Sequence, residues 1–181
     1  MKKLIFISVL LLSLLFGCKG YKETAFDPSK LNVINTAWDE QGNETYIQYE
    51  TPTVSDGIEA LPFKIKLPQT LPFETDGYKP TIIDDLENDG EKLLVTFRAY
   101  SKEENPDHPI IFKIRVYNFN MFPPQPKYYD EVKLKNGVIG KYSSTNLYFQ
   151  IDNIEYHIHI FGLPDDENSR KELINIANQM I

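Results

Sequence analysis

The chain has 181 residues with 26 acidic and 19 basic side chains, a formal net charge of −7, one cysteine, and eleven each of Tyr and Phe. The acidic balance argues against nucleic acid as a partner, since affinity for a phosphate backbone rests largely on Lys and Arg, and against electrostatic attraction to anionic lipid headgroups. One cysteine leaves no internal disulfide to staple the fold, so folding rests on the core, and the length suits a single domain with a sizeable core.

The chain opens on Met1-Lys2-Lys3, followed by an uncharged apolar run from Leu4 to Gly17. That run is shorter than a bilayer span and ends at a small residue, the pattern of a secretory signal. Cys18 follows at once. Leu15-Phe16-Gly17-Cys18 resembles the lipobox of bacterial lipoproteins, which implies diacylglycerol on the Cys18 thiol and cleavage just before it. A plain secreted chain would instead carry one unpaired thiol into an oxidising compartment. The expected organisation is a signal peptide over 1–17, an acylated Cys18 with a polar tether over 18–30, and one domain over 31–181. The membrane contact is then the lipid on Cys18, two acyl chains make it durable, and the expected location is the cell membrane, facing outside the cytoplasm.

Residues 31–50 form the first ordered region, in which Thr45 to Tyr49 reads as a strand entered through the turn chemistry of Asp39-Glu40-Gln41-Gly42-Asn43. Ser55 is a candidate cap for a short helix with Ile58 and Leu61 on its inner side. Pro62 to Pro68 alternates strictly, and its prolines confine it to a short edge strand. Two strong strands follow. Leu93, Val95, Phe97 and Ala99 share one face in Lys92 to Tyr100, opposite Thr96 and Arg98; Ile110, Phe112, Ile114 and Val116 share one in Ile110 to Phe119, opposite Lys113, Arg115 and Tyr117. Such alternation belongs to an antiparallel sheet with one solvated side. The polar connection from Ser101 to Pro109 is a surface loop.

Residues 119–129 combine three prolines with four aromatics and a methionine, which excludes a regular strand or helix. Asn136-Gly137 then marks a type I′ hairpin turn between Glu131–Lys135 and Val138–Tyr142. In the last hairpin, a two-residue turn at Asp152-Asn153 pairs Ile151 with Ile154, Phe149 with Tyr156 and Leu147 with Ile158. The other face then pairs Gln150 with Glu155, Tyr148 with His157 and Asn146 with His159. One face is apolar and the other polar, so the register is self-consistent. Asp165 or Asp166 caps a closing helix whose Leu173, Ile176, Ala177 and Met180 form one apolar stripe. The expected fold class is α+β, an antiparallel β-sheet packed by the C-terminal helix and a short N-terminal helix.

Several of these pieces share a further likeness: Ser55 through Pro80, Gly137 to Tyr142, the Leu147–Phe161 hairpin and Lys171 to Ala177. Together they resemble an extracytoplasmic domain of unknown function found in Gram-positive (Bacillus-type) lipoproteins and in the outer parts of anti-sigma-factor-like membrane proteins. The chain departs from that pattern in a longer stretch from Leu71 to Tyr78 and in a hairpin without tryptophan. The resemblance implies a noncatalytic, membrane-proximal module and supplies no catalytic residues.

Candidate chemistry is sparse. His157 and His159, two apart on a strand, share a face as two metal ligands would; a zinc site also needs Glu155 or a loop residue such as His108 or Asp107. The competing reading is an exposed polar face, and no metal or cofactor is expected. Asp85-Leu86-Glu87-Asn88-Asp89-Gly90 has the opening spacing of a calcium loop, yet Thr96 stands where a bidentate Glu is required, so an acidic turn is expected. Nucleophile-elbow and phosphate-loop motifs are absent from the sequence, leaving only paired carboxylates for a hydrolytic enzyme. The aromatic and proline loop is the candidate partner-binding site, through Phe119, Met121, Phe122, Tyr128 and Tyr129, because aromatics supply contact area at low entropic cost. Alternatively Phe119, Phe122 and Tyr129 fold back over an open end of the core. The expected function is a noncatalytic binding or regulatory module that meets an envelope protein or peptide. The runner-up is a carrier of a lipid or other hydrophobic ligand, with a cavity lined by Phe97, Phe112, Phe149 and Tyr156.

Overall fold

The computed structural model describes residues 25–102, 109–121 and 129–181. Within them ten strands form one antiparallel sheet, and the fold is α+β as the alternation of the sequence requires. The strands are β1 (Asn32–Trp38), β2 (Glu44–Glu50), β3 (Thr75–Tyr78), β4 (Ile82–Asp85), β5 (Leu93–Ser101), β6 (Ile111–Tyr117), β7 (Asp130–Lys133), β8 (Ile139–Ser143), β9 (Asn146–Ile151) and β10 (Ile154–Phe161). Their order is β1-β2-β4-β5-β6-β10-β9-β8-β7, with β3 pairing the end of β5 that β4 leaves open.

The core lies on one face of this sheet. Leu93, Val95, Phe97, Phe112, Ile114, Val116, Leu147 and Ile158 are buried there. A C-terminal helix, α2 (Glu167–Met180), closes that face. Its stripe of Leu173, Ile176, Ala177 and Met180 is buried as expected. Asp166 caps it, accepting the Asn168 and Ser169 amides at 3.0 and 2.9 Å. Asp165 has another task, accepting the Tyr142 hydroxyl at 3.1 Å.

The last hairpin adopts all six expected pairs. Asp152 and Asn153 take the positive φ that a tight hairpin turn needs. The Asn136-Gly137 turn also has both residues at positive φ, but it includes Lys135 as an extra residue. The Lys135 amide leaves the hairpin to donate to Asn178 of α2 at 2.7 Å.

Three expectations are corrected. The short helix α1 (Val54–Glu59) is capped by Thr53, not Ser55. Thr53 Oγ1 accepts the Asp56 amide at 3.1 Å and donates to the Asp56 carboxylate at 2.6 Å, so the reciprocal contact fixes the start two residues earlier. Gly57 sits inside this helix because a Cβ there would come within 2.9 Å of Thr51. Next, Pro62–Pro68 pairs with no strand among the described residues. Its alternation is real, with Phe63, Ile65 and Leu67 packed on the core and Lys64 and Lys66 exposed. The prolines withhold the donors a ladder needs. Lastly, the residues 25–30 of the expected tether belong to the packed structure. Phe26 meets the Tyr49 ring edge-on at 5.6 Å, the Asp27 amide donates to Ala60 at 2.9 Å, and Pro28–Lys30 forms a 3-10 turn.

Candidate functional site

The outer face of the sheet owes its side chains to the same alternation that fills the core. Between the buried residues of β5, β6 and β10 stand Arg98, Lys113, Arg115, His157 and His159, all half-buried. Register brings them together. Arg98 lies opposite Lys113 and Thr96 opposite Arg115. Lys113 faces His159, and Arg115 faces His157. Tyr148 and Asn146 of β9 complete the rows opposite His157 and His159.

Aromatic rings wall this group. The Tyr148 ring stacks on His157 at 4.2 Å, and His159 lies 3.6 Å from the Phe161 ring centre. The Lys113 ammonium stands 5.0 Å over the same Phe161 ring, a cation–π geometry. Asn146 Oδ1 accepts from His157 Nε2 at 2.8 Å, which places the ring proton on that nitrogen. His159 Nε2 lies 2.9 Å from Thr145 Oγ1.

The electrostatics are one-sided. Burial depresses the Lys113 pKa, and the neighbouring Arg115 and Arg98 add to it. Burial likewise holds His157 down to about 3, reinforced by Arg115, His159 and Lys113. His159 moves the same way, through burial, Lys113 and Arg115. Both imidazoles are therefore neutral near pH 7. Arg115 lies close enough to the Tyr117 side chain to oppose the rise that burial gives the Tyr117 pKa. Arg98 Nε is buried without a hydrogen-bond partner among the described residues. The described ion pairs all lie elsewhere, at Lys30–Glu59, Lys92–Glu87, Lys102–Asp76 and Arg170–Asp130. The nearest carboxylates in the register, Glu155 and Asp84, are one row further on. Asp84 accepts from the Tyr46 hydroxyl at 2.5 Å and from Gln48 at 2.6 Å.

Both sequence-predicted sites meet on this face. His157 and His159 lie at its centre, half-buried rather than exposed. The two ends of the aromatic and proline loop run along its border. Phe119 meets the Tyr117 ring edge-on at 5.7 Å, the Met121 amide donates to Glu155 at 3.3 Å, and Tyr129 packs against Tyr148 at 5.2 Å. Met121 is exposed. Phe122 and Tyr128 lie outside the described residues, as do Cys18, Asp107 and His108. Among the described residues no three His, Cys, Asp or Glu side chains converge as metal ligands. Arg98, Lys113 and Arg115 were not singled out by sequence. Their only signal was a place on the polar side of two neighbouring strands.

The remaining candidates resolve differently. Asp85 accepts the Asp89 and Gly90 amides at 3.3 and 2.9 Å, so the calcium-like spacing builds a turn into β5, where Thr96 resides. Phe97, Phe112, Phe149 and Tyr156 are buried in the core, the last two stacked at 5.1 Å. An open pocket of about 740 Å³ lies away from them, with Phe26, Tyr49, Phe63, Asp85, Asp89 and Glu91 in its lining.

No protein-family model, no curated protein and no solved structure matches this chain. Among the described residues no helix is long and apolar enough to cross a membrane.

Proposed function

We propose that the chain is a noncatalytic binding module, held outside the cytoplasm by lipid on Cys18, which meets an envelope protein or peptide through the outer face of β5, β6, β10 and β9. One observation carries this reading. The His157–His159 pair and both described ends of the 119–129 segment occupy a single face, beside three cations with no ion-paired carboxylate among the described residues. A half-buried face of aromatic rings and Arg is well suited to recognition, since these residues dominate binding energy at interfaces. The lipid tether rests on the Leu15–Cys18 motif. The packing of Phe97, Phe112, Phe149 and Tyr156 in the core favours this reading over the carrier.

The test is a photo-reactive residue placed in turn at Met121, at Tyr129 and at exposed Lys171 of α2, in the full chain within its own host. Cross-linking to one defined partner from the first two positions, with none from Lys171, is expected. The same partner captured equally from all three would sink the proposal. Changing Cys18→Ser is expected to move the protein out of the membrane fraction; unchanged fractionation would refute the anchor.

A further inference from the structure

Like charges set directly opposite each other across a sheet destabilise it, and opposite charges do the reverse. This acidic chain has 26 carboxylate side chains to place, yet register puts Arg98 against Lys113, with Arg115 two residues along β6 on the same face. Half-burial weakens the screening that makes an exposed cluster tolerable, and Arg98 Nε is withdrawn from solvent with a donor unused. Phe161 lies beneath the Lys113 ammonium and Tyr117 beside Arg115, and among the described residues none of the three cations forms an ion pair.

From this arrangement we propose that Arg98, Lys113 and Arg115 form an oxyanion-binding subsite, which takes a phosphoryl or carboxylate group carried by the ligand of the outer face. The inference rests on the proposed binding function and names the chemistry of that ligand. An Arg fork donates two parallel bonds to such a group, and Lys supplies a compact charge beside it. Charge-assisted bonds of this type are short and strong where water is partly excluded. Tyr148, His157, His159 and Phe161 wall the subsite, so the neighbouring part of the ligand is flat or apolar. The neutral imidazoles leave Arg98, Lys113 and Arg115 to hold the anion.

Full-length protein purified in mild detergent is titrated with inorganic phosphate and, separately, with acetate, at constant ionic strength set with chloride. The Arg side-chain and His ring signals are followed by NMR. Saturable shifts of Arg98 Nε–H and of the two imidazoles are expected. Affinity falls by about tenfold in Lys113→Met, the scale of one charge-assisted hydrogen bond. It is unchanged in Lys92→Met, whose ammonium pairs with Glu87 away from this face. Unaltered core methyl signals establish that each variant is folded, and Arg98→Gln serves as the second variant. Binding of phosphate alone supports the subsite and assigns a phosphoryl ligand, binding of acetate alone supports it and assigns a carboxylate, and binding of both supports the general site. No saturable shift with either anion, or equal losses in Lys113→Met and Lys92→Met, would overturn it. Cross-linking from Met121 and Tyr129 without anion binding leaves a protein-docking face and removes only the subsite. Anion binding without cross-linking retains the subsite and removes the protein partner.

Discussion

The two faces of β5, β6 and β10 are built from the same strands by the same alternation, yet they follow opposite rules. On the inner face Val95, Phe97, Phe112, Ile114, Val116 and Ile158 lose all contact with solvent, and the stripe of α2 closes over that side. Each partner there lowers the free energy of its neighbour by excluding water. On the outer face Arg98, Lys113 and Arg115 raise one another's energy, and His157 and His159 are held neutral among them. The difference teaches where to look for function. A sheet face that works against its own electrostatics is explained by something outside the fold more readily than by folding.

Mutations that separate the faces sharpen this contrast. The largest effect is expected on the inner side. Ile158→Ala or Leu173→Ala, at fully buried positions, should cost about 2–5 kcal/mol, read as a fall in the midpoint of urea unfolding. A midpoint within error of wild type would mean that this core is loosely packed.

Acid probes the outer side next. The folded-state pKa of His157 is depressed to about 3 from 6.5, so below pH 6.5 the unfolded chain binds more protons than the folded one. This contribution to stability is complete above pH 6.5 and is lost progressively as pH falls toward 3. Stability should therefore decline between pH 6.5 and 4, before most carboxylates titrate. His157→Gln should flatten that decline, and an identical pH profile in the variant would contradict the burial of this ring.

A smaller effect is expected at the helix start. Asp166→Ala removes the acceptor for two amides of α2 and should cost about 1 kcal/mol by the same unfolding measurement. No change would show that the first turn frays without consequence. The smallest effect is expected for Lys113→Met, about 0.5 kcal/mol or less in either direction, since the lost contact with Phe161 is offset by relief from Arg98 and Arg115.

What was legible in the sequence follows the same division. The last hairpin could be laid out pair by pair because a two-residue turn at Asp152-Asn153 leaves a single register that keeps one face apolar. The α2 stripe was equally plain. By contrast β1 went unresolved within the first ordered region. It is an edge strand with Val33, Ile34 and Trp38 exposed, and no burial pattern marks it. The strand assigned to Pro62–Pro68 failed because alternation reports burial on one side and not hydrogen bonding. The histidines and the loop aromatics could be named individually. Their meeting with Arg98, Lys113 and Arg115 could not, because the connection from Ser101 to Pro109 is too long to fix the register of β5 on β6, and β6 pairs with β10 across a much greater span of sequence.

The central claim is that the three cations serve a ligand and not the fold. The most direct measurement is urea unfolding of the full-length wild type and Lys113→Met in mild detergent, each with and without inorganic phosphate at fixed ionic strength. Binding to the folded state alone raises the unfolding midpoint by mass action. The account requires stabilities within about 0.5 kcal/mol of each other without phosphate, and a phosphate-dependent rise in midpoint that is clearly smaller in the variant than in the wild type. A variant destabilised on the scale of Ile158→Ala, or stabilised by phosphate as much as the wild type, would contradict it.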